Sequence, residues 1–295
     1  MVAKNWKKGV ETQEEYKKRM DKERKERLGE KKVHGKFFRE VAKVSDPRSW
    51  QWLSSGSLDK KKEGFICGAQ ENVLNTRYRV AMLKRDGGKG RLKDGEGLCR
   101  KCGKFVETVG HLVSGCGMLS QREYRKRHDR VGLRVYWGLC GKYDVKRSER
   151  WYDEVPDPVR FSEDGRYEIR WDQTIPTSTS IAESDGTRHN KPDVVVIDKI
   201  GGRWTMIDFA VPFDRNVAKI ETENKTKYEK LAASVRKEQK VRVDVVPVVV
   251  GALGVVSSDL VGYLVEELGV GDVVGELQTT ALICTAAILT KVLVT

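Results

Sequence analysis

The chain of 295 residues carries 56 lysines and arginines against 43 aspartates and glutamates, a formal net charge of +13. A surplus of this size favours a polyanionic partner, because it attracts phosphates and releases their counterions on binding. Nucleic acid is therefore the first candidate partner and an anionic membrane the second. Six cysteines are too few to staple a chain of this length, which excludes a disulfide scaffold and favours a reducing compartment.

Residues 1–45 are predicted to form a basic, partly helical arm. Residues 1–32 are dense in Lys, Arg and Glu and have few large apolar side chains, so they bury little surface by themselves. Contact with nucleic acid and a charged helix that binds nothing are equally good interpretations. The first twenty residues lack the apolar stretch of a secretory signal, which argues against export.

Residues 46–150 are predicted to form a helical linker that carries a metal module. Apolar residues in the segment 49–83 recur at a helical spacing, around Ile66, Val73, Leu74 and Tyr78. The glycine-rich basic stretch 85–97 then predicts an exposed loop.

The metal module is predicted from four potential ligands within residues 99–116, namely Cys99, Cys102, His111 and Cys116. A Cys-x-x-Cys pair followed by a spaced histidine and cysteine is typical of a closed tetrahedral zinc site, whose role is structural because no coordination position stays open. The alternative is a set of buried thiols beside a core histidine. The other cysteines, Cys67, Cys140 and Cys284, are isolated and are predicted to be small buried residues.

Residues 151–295 predict a mixed α and β domain. Short alternating runs such as RYEIRWD predict strands between turns, and two apolar runs around Gly201-Gly202 predict an antiparallel hairpin. Pairing centred near these glycines puts Asp193 directly or diagonally opposite Asp208. Two carboxylates this close repel each other, and a hard divalent cation such as Mg²⁺ or Mn²⁺ would hold them together. The alternative is a turn aspartate and a structural acid.

A helix is predicted from Asp214 to about residue 237, with one apolar stripe formed by Val217, Ile220, Tyr228, Leu231 and Val235. Lys227 lies roughly 60° from the centre of that stripe, and Lys225 roughly 100° away on the other side. Lys227 is therefore better placed to lean over the sheet and approach a phosphate, with Lys225 as the alternative. The alternative is that the lysine is exposed to solvent and has no role in a site.

The apolar tail from residue 241 onward is interrupted by Pro247, by several glycines and by Asp259, Glu266, Glu267 and Asp272. This pattern predicts a buried strand followed by helices and no membrane span.

Several runs together resemble one known family: SWQWLSSGSL, EGFICGAQENVLNTRY, CRKCGKFVETVGHLVSGC, REYRKRHDRV, WYDEVPDPV, NKPDVVVIDK, IDFAVPFDRNV, KTKYEKL and VVPVVVGALG. They are similar to the region downstream of the polymerase in non-LTR retrotransposons of the restriction-like-endonuclease type. The resemblance implies an α+β fold, in which a PD-(D/E)XK restriction-endonuclease-like domain (a mixed sheet flanked by helices) follows a helical segment with a Cys-Cys-His-Cys zinc knuckle.

The resemblance also implies site residues. The acidic pair falls on Asp193 and Asp208, and the lysine lies on the following helix, at the KxKY run, since Ala210 stands where the strand lysine would be. Related elements often carry a lysine where this chain has Asn224. The implied activity is Mg-dependent nicking of target DNA, which in an intact element primes reverse transcription.

Basic side chains near both sites are predicted to contact nucleic acid: Arg100, Lys101, Arg125, Lys126, Arg127, His128 and Lys191. The expected partners are target DNA, element RNA and a reverse transcriptase domain in cis, with no membrane. No Tyr/Phe-x-Asp-Asp run is present, so reverse transcriptase activity is not expected and the chain is expected to be a fragment of an element. A nuclear location is expected from the chromatin substrate.

Two other functions stay open at this point. The chain could be a non-catalytic nucleic-acid-binding remnant of such an element. An enzyme of the same fold that acts on branched DNA is the third hypothesis, and it predicts a preference for junctions over duplexes.

Overall fold

The computed structural model of the protein describes residues 11–32, 34–41, 44, 46–85, 92–147, 155–178 and 186–294. Three predicted stretches lie partly outside these residues, namely 1–10 of the arm, 86–91 of the glycine-rich loop and 151–154 of the run WYDEVPDPV.

Six helices precede the metal module in the described part of the chain: α1 Gln13–Glu30, α2 Lys36–Val41, α3 Asp46–Ser49, α4 Gln51–Ser54, α5 Lys60–Gln70 and α6 Arg77–Leu83. Helix α1 begins at a capping box, in which Thr12 Oγ1 accepts from the Glu15 amide at 3.2 Å and Glu15 Oε2 accepts from the Thr12 amide at 2.7 Å. The predicted helical spacing around residue 66 does not continue through residue 78. The chain turns at Asn72, which has a φ of 57°, before Thr76 caps α6.

The metal module leads through two π-helical turns, His111–Gly115 and Ser120–Tyr124, with α7 (Gly117–Leu119) between them, into the long helix α8 (Arg125–Lys142). Farther along the chain, a 3₁₀ turn Asp214–Asn216 is followed by α9 (Val217–Lys227) and α10 (Glu229–Gln239). The chain ends with α11 (Leu260–Gly262), a π-helical turn Tyr263–Glu267 and α12 (Val274–Leu293).

A five-stranded mixed sheet lies at the centre, in the order β1 to β5, with strands Val159–Phe161, Tyr167–Trp171, Val194–Asp198, Arg203–Ala210 and Arg242–Val249. Strands β1 to β4 are antiparallel neighbours, and β5 runs parallel to β4 after the crossover through α9 and α10. The α+β class, a mixed sheet flanked by helices, is confirmed.

The predicted hairpin around the two glycines is β3 and β4. Gly202 has a φ of 59° in the turn, a conformation that side chains with a Cβ rarely adopt. The register pairs Val194 with Ile207, so Asp193 directly precedes the paired part of β3 and Asp208 directly follows Ile207. The pairing therefore brings the two aspartates to the same end of the hairpin, as predicted.

Both faces of the sheet are covered, which explains the continuous apolar run of β3. Val194 and Val196 face a core shared with α8 and the first half of α12. Val195 and Ile197 face a second core shared with α10. The sheet is therefore the middle of three layers, and α8 lies directly over the strands that carry the acidic residues.

A third core joins the N-terminal helices, the metal module and the C-terminal half of α12, and it includes Phe37 and Val41 of α2. Side chains from all three predicted domains (1–45, 46–150 and 151–295) meet in this core. The domain boundaries stay predictions, but the described cores are shared across them.

The predicted helix from Asp214 to residue 237 is broken in two. Tyr228 separates α9 from α10 with φ −103° and ψ 9°, and its hydroxyl contacts Asp208. Four of the predicted stripe residues are buried, and Ile220 is partly buried.

Helix α12 is long and apolar enough to cross a membrane by length and composition, a test that core helices also pass. Of its most apolar window, 61% is buried inside the protein. In this structure α12 therefore packs as a core helix between two of the three cores.

Candidate functional site

The four predicted metal ligands converge. One ligand atom each from Cys99, Cys102, His111 and Cys116 lies within 4.8 Å of the others. The two sulfur atoms of Cys99 and Cys116 are 3.9 Å apart, and Cys102 Sγ is 3.4 Å from His111 Nε2. A tetrahedral zinc ion separates its sulfur and nitrogen ligands by about 3.5 to 3.8 Å. The cluster can therefore hold a metal ion such as zinc.

Local hydrogen bonds fix the module around these ligands. The amide of Lys101 lies 3.4 Å from Cys99 Sγ, and the amide of Cys116 donates to the Tyr124 hydroxyl oxygen at 3.1 Å. Backbone donors lower the pKa of the Cys102 thiol to about 6, whereas burial raises the pKa of Cys116 to about 11. A bound cation would favour the thiolate form of both.

The module is tied to α6 by a buried carboxylate. Glu107, which is 0% exposed, accepts from the guanidinium and the amide of Arg100 and from the amide of Arg77. Burial opposes ionisation, but these hydrogen bonds lower the pKa of Glu107. Arg100, a predicted nucleic-acid contact, therefore spends most of its donors inside the protein, whereas Lys101 is exposed.

The second constellation is the acidic pair with Lys227. Nζ of Lys227 lies 3.0 Å from Asp208 Oδ1, and the Tyr228 hydroxyl lies 2.7 Å from the same oxygen. Burial and the nearby charge of Asp193 raise the pKa of Asp208. The two donors on Oδ1 therefore offset part of the desolvation cost of keeping the buried Asp208 carboxylate ionised.

Asp193 is held in a similar way from the opposite side. Its Oδ2 accepts from the Phe209 amide at 2.6 Å and lies 3.2 Å from His128 Nε2. The same nitrogen lies 3.0 Å from the Phe209 carbonyl oxygen, so it is shared between these two acceptors. His128 Nδ1 lies 3.0 Å from Asp129 Oδ1. Burial disfavours the charged ring, but the carboxylates of Asp129 and Asp193 raise the pKa of His128 to about 10. The ring is therefore an imidazolium at neutral pH.

Each carboxylate thus has one oxygen engaged by two donors. Oδ1 of Asp193 and Oδ2 of Asp208 have no hydrogen-bond partner among the described residues. This donor set fits a hard divalent cation, which prefers carboxylate oxygen ligands. Helix α8 brings His128 close to the pair because Gly132 leaves room for Phe209, whose ring carbon would lie 2.6 Å from an added Cβ.

Lys225, the alternative lysine, points elsewhere. Its Nζ lies 4.8 Å from the centre of the Tyr263 ring, and the hydrogen bond to Tyr263 raises the pKa of Lys225. Asn224 is buried, and no partner for its Nδ2 is present in the described part of the chain. Only Lys227 of these three reaches Asp208.

Basic side chains line the rim of the acidic pair. Lys191 and Arg125 lie 2.9 and 3.7 Å from Asp172 Oδ2, and both are largely exposed. The Asp172 amide donates to the Asp193 carbonyl oxygen at 2.7 Å, which places this cluster beside the pair. Lys126 is exposed on α8.

The structure corrects the prediction for Arg127. The side chain is 1% exposed and donates to Thr285 Oγ1 and to the carbonyl oxygens of Val113 and Val211. It joins the metal module to the end of β4 and cannot reach a phosphate in this conformation. A buried arginine can donate hydrogen bonds to several carbonyl oxygens at once. The sequence, in which Arg127 is one member of a basic run, did not indicate this buried role.

Two members of the site were not identified as such from the sequence. His128 was predicted as a nucleic-acid contact and Tyr228 as a core residue. Tyr228 is buried as predicted, and both side chains also contact the acidic pair. The local sequence offered one indication for each: Asp129 is adjacent to His128, and Lys227 is adjacent to Tyr228. No protein-family model matches the chain, and no curated protein matches it.

Proposed function

We propose that the protein is a metal-dependent DNA endonuclease of the PD-(D/E)XK type that nicks DNA by phosphodiester hydrolysis, as the resemblance to non-LTR retrotransposon endonucleases implies. One observation carries the proposal: Asp193, Asp208 and Lys227 converge although they lie just before β3, in β4 and at the end of α9. Two carboxylates beside a lysine at a sheet end suit metal-assisted phosphoryl chemistry better than they suit a structural role, since two like charges cost stability.

Asp193 and Asp208 would hold one Mg²⁺ or Mn²⁺ through Oδ1 and Oδ2, the oxygens without protein partners. When bound, the cation supplies Lewis acidity toward the phosphodiester and its attacking water. Lys227 contributes a positive charge toward the phosphate oxygens, where negative charge grows in the transition state. Water attacks phosphorus, the P–O3′ bond breaks, and a 3′ hydroxyl and a 5′ phosphate result.

His128 and Tyr228 act as positioning residues in this proposal. The ion pair of His128 with Asp193 and the hydrogen bond of Tyr228 to Asp208 hold one oxygen of each aspartate, so the other oxygens stay aimed at a shared cation. Lys191 and Arg125 supply positive charge at the rim, where a phosphate backbone can replace Asp172 as their partner. The metal module is proposed to hold structural zinc.

A plasmid-nicking assay with Mg²⁺ tests the proposal. We expect Asp193→Ala to abolish nicking and Lys227→Met to reduce it by about 10² to 10³, the usual cost of removing one stabilising group. Lys225→Met is the matched control, because it removes the same charge two residues away on the same helix and leaves Asp208 untouched.

Nicking by Asp193→Ala at the rate of the parent would contradict the mechanism. If the parent itself binds DNA but does not nick it, the protein is instead a non-catalytic nucleic-acid-binding remnant. A preference for four-way junctions over linear duplexes would favour the branched-DNA hypothesis.

A further inference from the structure

A basic cavity of about 990 Å³ lies between α6 and the segment that leads into the metal module. Five basic side chains line it, namely Arg77, Lys84, Arg85, Lys93 and Arg100. Glu96 is the one acidic side chain among the described lining residues. A concave site lined by one sign of charge concentrates the field and attracts ions of the opposite sign.

Two of these basic groups are already neutralised within the protein. Arg85 forms an ion pair with Glu96, and Arg100 forms one with the buried Glu107. Lys84 and Lys93 are exposed, and no acidic side chain among the described residues pairs with either. The cavity therefore carries surplus positive charge that the fold itself does not use.

The walls of the cavity are held in place. Glu107 accepts from the Arg77 amide at the start of α6 and from the Arg100 amide in the module, at 2.8 Å each. The guanidinium of Arg77 also reaches the Leu98 carbonyl oxygen at 3.4 Å. Because the two walls share a buried carboxylate, the backbone at Arg77 and the backbone at Arg100 keep their spacing without a ligand, which lowers the entropic cost of binding.

We propose that this cavity binds the phosphodiester backbone of a nucleic-acid strand, at a site separate from the acidic pair. Its size exceeds what a single phosphate needs and matches an extended polyanion better. Several lysines and arginines spread along the cavity suit a nucleic-acid backbone, because the backbone carries a negative charge at each phosphate and can be bound without base contacts. The inference concerns binding alone and holds whether or not the acidic site cuts DNA.

Fluorescence anisotropy with labelled oligonucleotides tests the inference. The double variant Lys84→Glu/Lys93→Glu is compared with Lys61→Glu/Lys237→Glu, which makes the same charge change at exposed helix positions away from the cavity. Both are built on Asp193→Ala, so cleavage cannot disturb the titration and no chelator has to be added that would strip the metal module.

We expect the cavity variant to bind at least about tenfold more weakly than the control variant. The slope of log K against log salt should fall by about 1.4 on a single strand, since each lost phosphate contact removes about 0.7. Twelve-nucleotide single strands and duplexes form the two arms. A weaker affinity of the cavity variant for the single strand or for the duplex supports the site, and the affected arm identifies which of the two the cavity binds. Equal affinities and equal salt slopes for the two variants on both arms would overturn the inference.

Discussion

The metal module and the acidic pair gather their chemical groups in opposite ways. The four potential metal ligands come from eighteen consecutive residues, and each lies in or beside a tight local turn. The acidic pair needs two strands, α8 and α9, and its positioning side chains lie about 65 residues before and 20 residues after the aspartates they hold. A local site can form early and by itself, whereas the acidic pair depends on the completed sheet.

Removing a ligand from the module should give the largest effect. We expect Cys99→Ser to lose the metal, because structural zinc contributes about 10 kcal/mol or more to the folding of small modules. Cys99 and Cys116 also belong to the third core, so thermal stability should fall with the metal content. Elemental analysis of the purified protein should find about one zinc per chain in the parent and close to none in the variant.

Cys67→Ser is the control for this measurement, since Cys67 is half-buried outside the cluster. A parent protein purified without zinc, and unchanged in stability by added zinc, would break the first half of the comparison.

The junction between the two regions should respond to pH. Asp214 follows β4, is 1% exposed and accepts from the amides of Leu253 and Val255, with Arg127 as the charged group that faces it. Burial raises the pKa of Asp214 to about 7. The unfolded chain releases this proton near pH 4 and the folded chain near pH 7. The contribution of Asp214 to the unfolding free energy is therefore largest below about pH 4 and falls by about 4 kcal/mol as the pH rises to about 7.

Urea unfolding between pH 4 and pH 7.5 measures this dependence. Asp214→Asn should flatten the decline although it lowers stability overall, because its side chain has one acceptor oxygen where the carboxylate uses two toward the amides of Leu253 and Val255. Asp259→Asn, at an exposed position, should leave the decline unchanged. An identical decline in the Asp214 variant and the parent would rule out Asp214 as its source.

The assembled site should show the smallest of these effects at His128. We expect His128→Ala to weaken Mn²⁺ binding about 10-fold to 100-fold, the usual effect of removing a group that orients a metal ligand. His128→Gln should restore part of the affinity, because its amide can still donate to Asp193. Calorimetric titration of zinc-loaded protein without DNA measures the affinity separately from cleavage.

Equal loss in both variants would indicate a packing role for the ring and no positioning of Asp193. Unchanged Mn²⁺ affinity in both variants would show that the acidic pair does not rely on α8. The acidic pair would then depend less on distant elements than the comparison with the metal module assumes.

The sequence by itself determined the features that depend on near neighbours. The spacing from Cys99 to Cys116 indicated the metal cluster, the two glycines located the hairpin, and the apolar runs predicted a mixed sheet between helices. Hairpin pairing follows from a short turn, so even the approach of Asp193 to Asp208 could be inferred. The helical angle favoured Lys227 over Lys225, and of these two lysines Lys227 is the one that contacts Asp208 in the structure.

Tertiary structure decided what distant elements do to each other. Arg127 and His128 are adjacent in one basic run, yet the first is buried between the module and β4 and the second clamps Asp193. Successive residues on a helix point about 100° apart, so only the packing of α8 against the sheet assigns their roles. The break at Tyr228 likewise follows from a hydroxyl that reaches a strand twenty residues earlier, a contact that no local pattern encodes.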